Sequence, residues 1–220
     1  MNMPTLDALQ KAGSFAALRR LAKKKSAVEQ CEMCSEPLAT EHQHLIQPDE
    51  RKIICACDAC ALLFTTQEGT KLRRVPRTSR YLPGFRLSEA QWNGLMIPIE
   101  LVFFFRNSVS DRIVALYPSP AGATESLLSM NLWDEISGEN PVVAEMMPDV
   151  EALLVNRVGV NRGVAPAYYI APIDKCYELV GLIRSHWHGL AGGTAVWREI
   201  AGFFARLRER AIVSQGAGRA

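Results

Sequence analysis

Cys31-Glu-Met-Cys34 is answered, across residues 35–56, by Cys57-Asp-Ala-Cys60, with Cys55 just upstream of the second pair. Five of the six cysteines therefore fall between positions 31 and 60, and Cys176 stands apart. Two paired Cys-x-x-Cys motifs are a metal-site signature, although the gap of 22 residues here slightly exceeds the usual range of about 15 to 20. Each pair bends around one side of an ion, and four soft thiolates fill a tetrahedron while neutralising a divalent charge. Upstream, Leu6 to Leu21 is interrupted by Asp7, Lys11, Arg19 and Arg20 and is followed by Lys23-Lys-Lys25, which is not the pattern of a secretory leader. The expected setting is a reducing cytoplasm, where such pairs bind metal rather than form disulfides. The expected ligands are Cys31, Cys34, Cys57 and Cys60 around one zinc ion, with one iron as the alternative.

The insert between the pairs predicts how they meet. Gln47-Pro-Asp-Glu-Arg51 has turn chemistry and is flanked by the strand-like runs Glu41–Ile46 and Lys52–Ala56, so a β-hairpin is expected to close the site as a zinc ribbon does. Glycine often follows the second cysteine of each pair in such ribbons; here Ser35 and Ala61 occupy those positions. Cys55 supplies a fifth thiol that can substitute in the second half-site, and otherwise reads as a small hydrophobe on a strand. His42 and His44 lie two apart on a strand and share a face, so His44 is a further substitute ligand. With a full ligand set already present, both are expected to be ordinary surface histidines.

Outward from the cysteines, residues 4–22 carry Leu6, Leu9, Ala17 and Leu21 on one helical face and predict a short amphipathic helix. The apolar run Ala61-Leu-Leu-Phe64 is expected to dock the module on the rest of the chain. Between Lys71 and Ser88 there are six basic residues and no acid, a run broken by Pro76, Pro83 and Gly84. Clustered cations beside a zinc ribbon suit phosphate contacts, so nucleic-acid binding through Arg73, Arg74, Arg77 and Arg80 is the alternative function. From Ala121 to Val155 there are seven acids and no basic residue, so connector and acidic stretch can also attract each other. A net charge of +2 selects no class of partner, and the longest apolar run, near Leu101–Phe105, is far too short to span a bilayer.

The larger domain reads as α+β. Ser88-Glu-Ala-Gln91 is a capping box opening a short helix towards Trp92. Ile97, Ile99, Leu101, Phe103 and Phe105 alternate as a strand whose start Pro98 pushes towards a sheet edge. Strands at 112–117, 151–158 and 167–170 and a helix over 127–136 are expected to build a mainly antiparallel sheet. Two helices follow: one has an apolar stripe from Ile173 to Trp187 that takes in Cys176, and the other is capped by Thr194 with Trp197, Ile200, Phe204, Leu207 and Ala211 inward. His186 and His188 would point apart on a helix and cannot grip one ion. No nucleophile elbow, metalloprotease helix, P-loop or dinucleotide fingerprint is present, so the sequence offers no support for catalysis.

The chain resembles an uncharacterised bacterial family encoded beside nickel-iron hydrogenase genes. The resemblance rests on Cys31-Glu-Met-Cys34-Ser-Glu-Pro-Leu38, on His44-Leu45 with Ile54-Cys-Ala-Cys-Asp-Ala-Cys-Ala-Leu-Leu-Phe64, and on Pro172–Arg184 followed by Trp187 and Gly192-Gly193. It implies a rubredoxin-like or zinc-ribbon-like module serving hydrogenase assembly or electron transfer, with hydrogenase subunits or maturation factors as protein partners. The expected organisation is a helix and linker over 1–28, a four-cysteine module over 29–66, a basic connector over 67–88, an α+β domain over 89–213 and a tail over 214–220.

Overall fold

The structure, a computed structural model, describes residues 28–66, 70–189 and 192–214. The helix expected over 4–22 lies outside them, as does the expected tail beyond Ser214. The described chain is α+β and holds two sheets.

The smaller sheet contains β1 (Gln43–Gln47), β2 (Lys52–Ala56) and β3 (Arg73–Arg74) in the order β2-β1-β3, all antiparallel. Helix α1 (Asp58–Thr66) leaves β2 directly. The larger sheet comprises β4 (Arg80–Tyr81), β5 (Leu101–Asn107), β6 (Arg112–Ser119), β7 (Gly122–Ser126), β8 (Glu151–Asn156), β9 (Ala167–Pro172) and β10 (Ile212–Val213). Its order is β10-β4-β9-β8-β5-β6-β7, antiparallel throughout except for the β10–β4 pair.

Both faces of the larger sheet are covered. Leu101, Phe103, Phe105 and Leu154 pack against α4 (Ile173–His186) and α5 (Gly193–Arg210). Val102, Phe104, Leu153 and Ile170 pack against Trp92 of α2 (Glu89–Gly94) and Trp133 and Ile136 of α3 (Met130–Glu139). This explains the unbroken run Leu101-Val-Phe-Phe-Phe105: a central strand buried on both sides has no polar face to alternate with. The strand expected to start near Ile97 instead begins at Leu101, between β6 and β8, and Pro98 stays outside it. Strand β7, polar and at the edge, carries no apolar alternation and was not expected. The capping box forms as expected, with the Ser88 hydroxyl accepting the Gln91 amide and the Gln91 side chain accepting the Ser88 amide.

Helix α5 departs from expectation at its start. Gly192, not Thr194, is its N-cap, with φ of 81°. A Cβ there would lie 2.9 Å from Val196 Cγ1 and 3.0 Å from Trp187, so the close approach demands glycine. The inward stripe is Val196, Ile200, Phe203, Phe204 and Leu207. Trp197 is 39% exposed, its ring meeting that of Trp187 edge-on.

The module docks differently from the expectation. Leu62 and Leu63 of α1 are 61% and 53% exposed. The contact comes from the other side of the ribbon, where Ile46 and Val75 join the core beneath α4 and α5. Alternation along β1 is the cause: Leu45 faces the cysteines and Ile46 the large core. The basic connector is sewn into both sheets through β3 and β4. Among the described residues, no helix is long and apolar enough to cross a membrane.

Candidate metal centre

The first cysteine pair forms a tight turn in which the Ser35 amide donates to Cys31 O at 2.7 Å and the Cys31 amide donates to Glu36 O at 2.8 Å. Ser35 has φ of 65°, the left-handed conformation that glycine takes without strain, so the turn keeps its shape although the glycine is absent. The second pair is not a second turn of this kind. Cys57 precedes α1 and Cys60 lies in its first turn, where the Cys60 amide donates to Cys57 Sγ at 3.4 Å. Ala61 is already helical, and a glycine there would serve no purpose.

The β1–β2 hairpin brings these two ends together. One ligand atom from each of Cys31, Cys34, Cys57 and Cys60 lies within 4.8 Å of the others, and Cys34 Sγ is 3.8 Å from Cys57 Sγ. A tetrahedron with metal–sulfur bonds of about 2.3 Å has sulfurs roughly 3.8 Å apart, so donor type and spacing both fit a four-thiolate ion. Cys31 and Cys60 are buried with Leu45, Ile54, Ala56 and Ala61, while Cys34 is exposed. Burial opposes ionisation of Cys31, but amides of Cys57, Cys34 and Met33 directed at its sulfur outweigh it and bring the thiol down to about 6. Burial, reinforced by the thiols of Cys57, Cys34 and Cys31, pushes Cys60 up to about 12. Cys31 is thus held towards its thiolate and Cys60 towards its thiol.

Cys55 and His44, expected as substitute ligands, do not join this set. They form a separate group with His42, one ligand atom of each again within 4.8 Å of the others. The two histidines are part-buried rather than freely exposed: the side chain of His42 is 6% exposed and that of His44 26%. Register explains the grouping, because His44 pairs with Cys55 across the ribbon on the face opposite Leu45 and Ile54. His44 Nδ1 meets Asp174 Oδ2 of α4 at 2.8 Å, joining ribbon to helix. Burial pushes the Cys55 thiol up, with the carboxylates of Glu29 and Glu32 acting in the same direction.

The remaining sequence candidates have structural roles. Cys176 is fully buried on α4, its thiol pushed well up by burial. His186 Nδ1 bonds the Leu182 carbonyl within its own helix. The connector arginines are engaged inside the chain: Arg73 with Asp149 at 3.2 Å, Arg77 with Glu41 at 3.7 Å and Arg80 with Glu145 at 2.8 Å, while Arg74 Nε donates to Gln43 Oε1 at 3.0 Å. Two of these partners, Asp149 and Glu145, belong to the acidic stretch.

Comparison with curated proteins and with solved structures finds no match. A family model described as a family of unknown function (DUF5947) matches residues 30–211, most of the chain, and the protein belongs to that family.

Proposed function

We propose that this protein is a metal-stabilised accessory protein that binds a protein partner. Zinc, held by Cys31, Cys34, Cys57 and Cys60, organises its N-terminal module in the manner of a zinc ribbon or rubredoxin. The observation that carries the metal is the poverty of that module's core, whose six buried residues include Cys31 and Cys60 themselves. Units this small seldom bury enough apolar surface to hold their shape without a metal or disulfides. A redox-inert ion closed in by four thiolates suits that structural role. Exposed Leu62 and Leu63, on the helix that the centre anchors, offer an apolar step to a partner.

The setting of nickel-iron hydrogenase assembly or electron transfer rests on the resemblance carried by residues 31–64 and 172–193. Elemental analysis tests the metal. Purified protein is expected to be colourless and to contain zinc, of which Cys57→Ser loses the ion of the four-cysteine centre and Cys176→Ala loses none. A red protein with one iron per chain overturns the zinc assignment. Co-purification with hydrogenase subunits tests the setting, and hydrogenase activity unchanged by deletion of the gene counts against it.

A further inference from the structure

The geometry points to a second, independent metal site on the opposite face of the ribbon: a late first-row divalent ion held by His42, His44 and Cys55, with its fourth position open to an exogenous ligand. Three observations carry it. One ring nitrogen of each histidine and the Cys55 sulfur lie within 4.8 Å of one another, and the two imidazole rings stand 4.7 Å apart. Each ring is oriented by an acceptor at Nδ1, His42 by the Ala39 carbonyl at 2.9 Å and His44 by the Asp174 carboxylate at 2.8 Å. An Nδ1–H fixed in this way leaves the Nε2 lone pair free, and orientation by a carbonyl or carboxylate is how metal-bound histidines are commonly held. Most telling is that His42 Nε2 is buried without a hydrogen-bond partner. A buried lone pair with no donor is costly, and an ion satisfies it.

The donor set narrows the ligand. Two imidazoles and one thiolate suit zinc and its late first-row neighbours and do not suit calcium or magnesium, which require oxygen. Three protein ligands rather than four leave a coordination position for water or a small donor. His42 and His44 both line a cleft of about 410 Å³ between the ribbon, the connector and helices α4 and α5, which gives such a ligand a route in. Glu29 stands near, its carboxylate 3.8 Å from His42 Nδ1, and adds negative charge on that side. This site shares no ligand with the four-cysteine centre, so the two proposals stand or fall separately.

The test is titration of metal-free, reduced full-length protein with Co(II), followed by its thiolate charge-transfer absorption and by competition with a chromophoric chelator. Wild type is expected to take two ions per chain. His42→Ala and Cys55→Ser are expected to take one and to keep the spectrum of the four-thiolate ion, which also shows that they fold. Asp174→Asn, which leaves all three ligands in place, is expected to weaken the second ion by roughly 10- to 100-fold. A second ion that persists in both His42→Ala and Cys55→Ser overturns the inference. So does a single ion in wild type that Cys57→Ser removes and His42→Ala does not, although that result upholds the four-cysteine centre. A single ion removed by His42→Ala and kept by Cys57→Ser supports the second site and sinks the first.

Discussion

At the scale of single residues, the centre is shaped by conformations as much as by thiols. Ser35 holds a left-handed backbone that costs an L-residue about 1–2 kcal/mol, partly offset against glycine by glycine's greater loss of freedom on folding. Ser35→Gly is therefore expected to stabilise the protein by about 0.5–1 kcal/mol in urea denaturation, with metal content unchanged. Cys31 gives a pH signature. Above pH 6 its sulfur is already thiolate, so an ion displaces no proton from it; below pH 6 it is protonated and the ion must expel that proton. Logarithmic affinity should then fall more steeply on the acid side of pH 6, by about one further unit per pH unit. Chelator competition on either side of that pH checks the slope. A slope that does not change there means that Cys31 is not a ligand or is not held as a thiolate.

At the scale of elements, the turn into α5 is the sharpest local requirement. Gly192→Ala places a methyl group against Val196 and Trp187 at a positive φ, and it is expected to cost about 2 kcal/mol, read as a lower thermal midpoint with metal retained. This turn also shows where sequence reading ended. Thr194 was legible as a helix cap, but the choice of Gly192 in its place depended on Trp187 reaching back across the reversal. The ribbon was far more legible. A turn at Pro48–Arg51 sets the pairing Gln47 with Lys52, and counting outward puts His44 opposite Cys55. That count was available from the sequence, yet the completeness of the two Cys-x-x-Cys pairs made the histidines look redundant. The helical start of the second pair was hidden for another reason: Asp58-Ala-Cys-Ala suits either a turn or a first helical turn, and only the docking of Ala61 beneath Leu45 and Ile54 decides.

For the molecule as a whole, the α+β class and the two closing helices followed from periodicity, whereas the helical cover on the second face of the sheet did not. Trp92 and Trp133 come from short helices whose own patterns say little about where they pack. The seam between ribbon and sheet is polar at its rim, with His44–Asp174, Arg73–Asp149 and Arg210–Glu41 spanning it, and apolar within, through Ile46 and Val75. Such rim pairs are individually worth little when exposed, but Asp149 is buried and lies beside Arg73. Asp149→Asn tolerates the positive φ and removes that pairing, and it is expected to cost about 1–3 kcal/mol in chemical denaturation. The placement of β10 has a consequence for the order of events during synthesis. The ribbon, its helix and β3 close within residues 31–74, whereas β4, at residue 80, borders β9 at residue 170 on one side and β10 at residue 212 on the other. A chain emerging from the ribosome can therefore capture its ion long before the seven-stranded sheet has an edge to finish against, because contacts of short sequence separation form first. Metal uptake ahead of sheet formation in stopped-flow refolding is the expected trace of that order, and simultaneous phases would refute it.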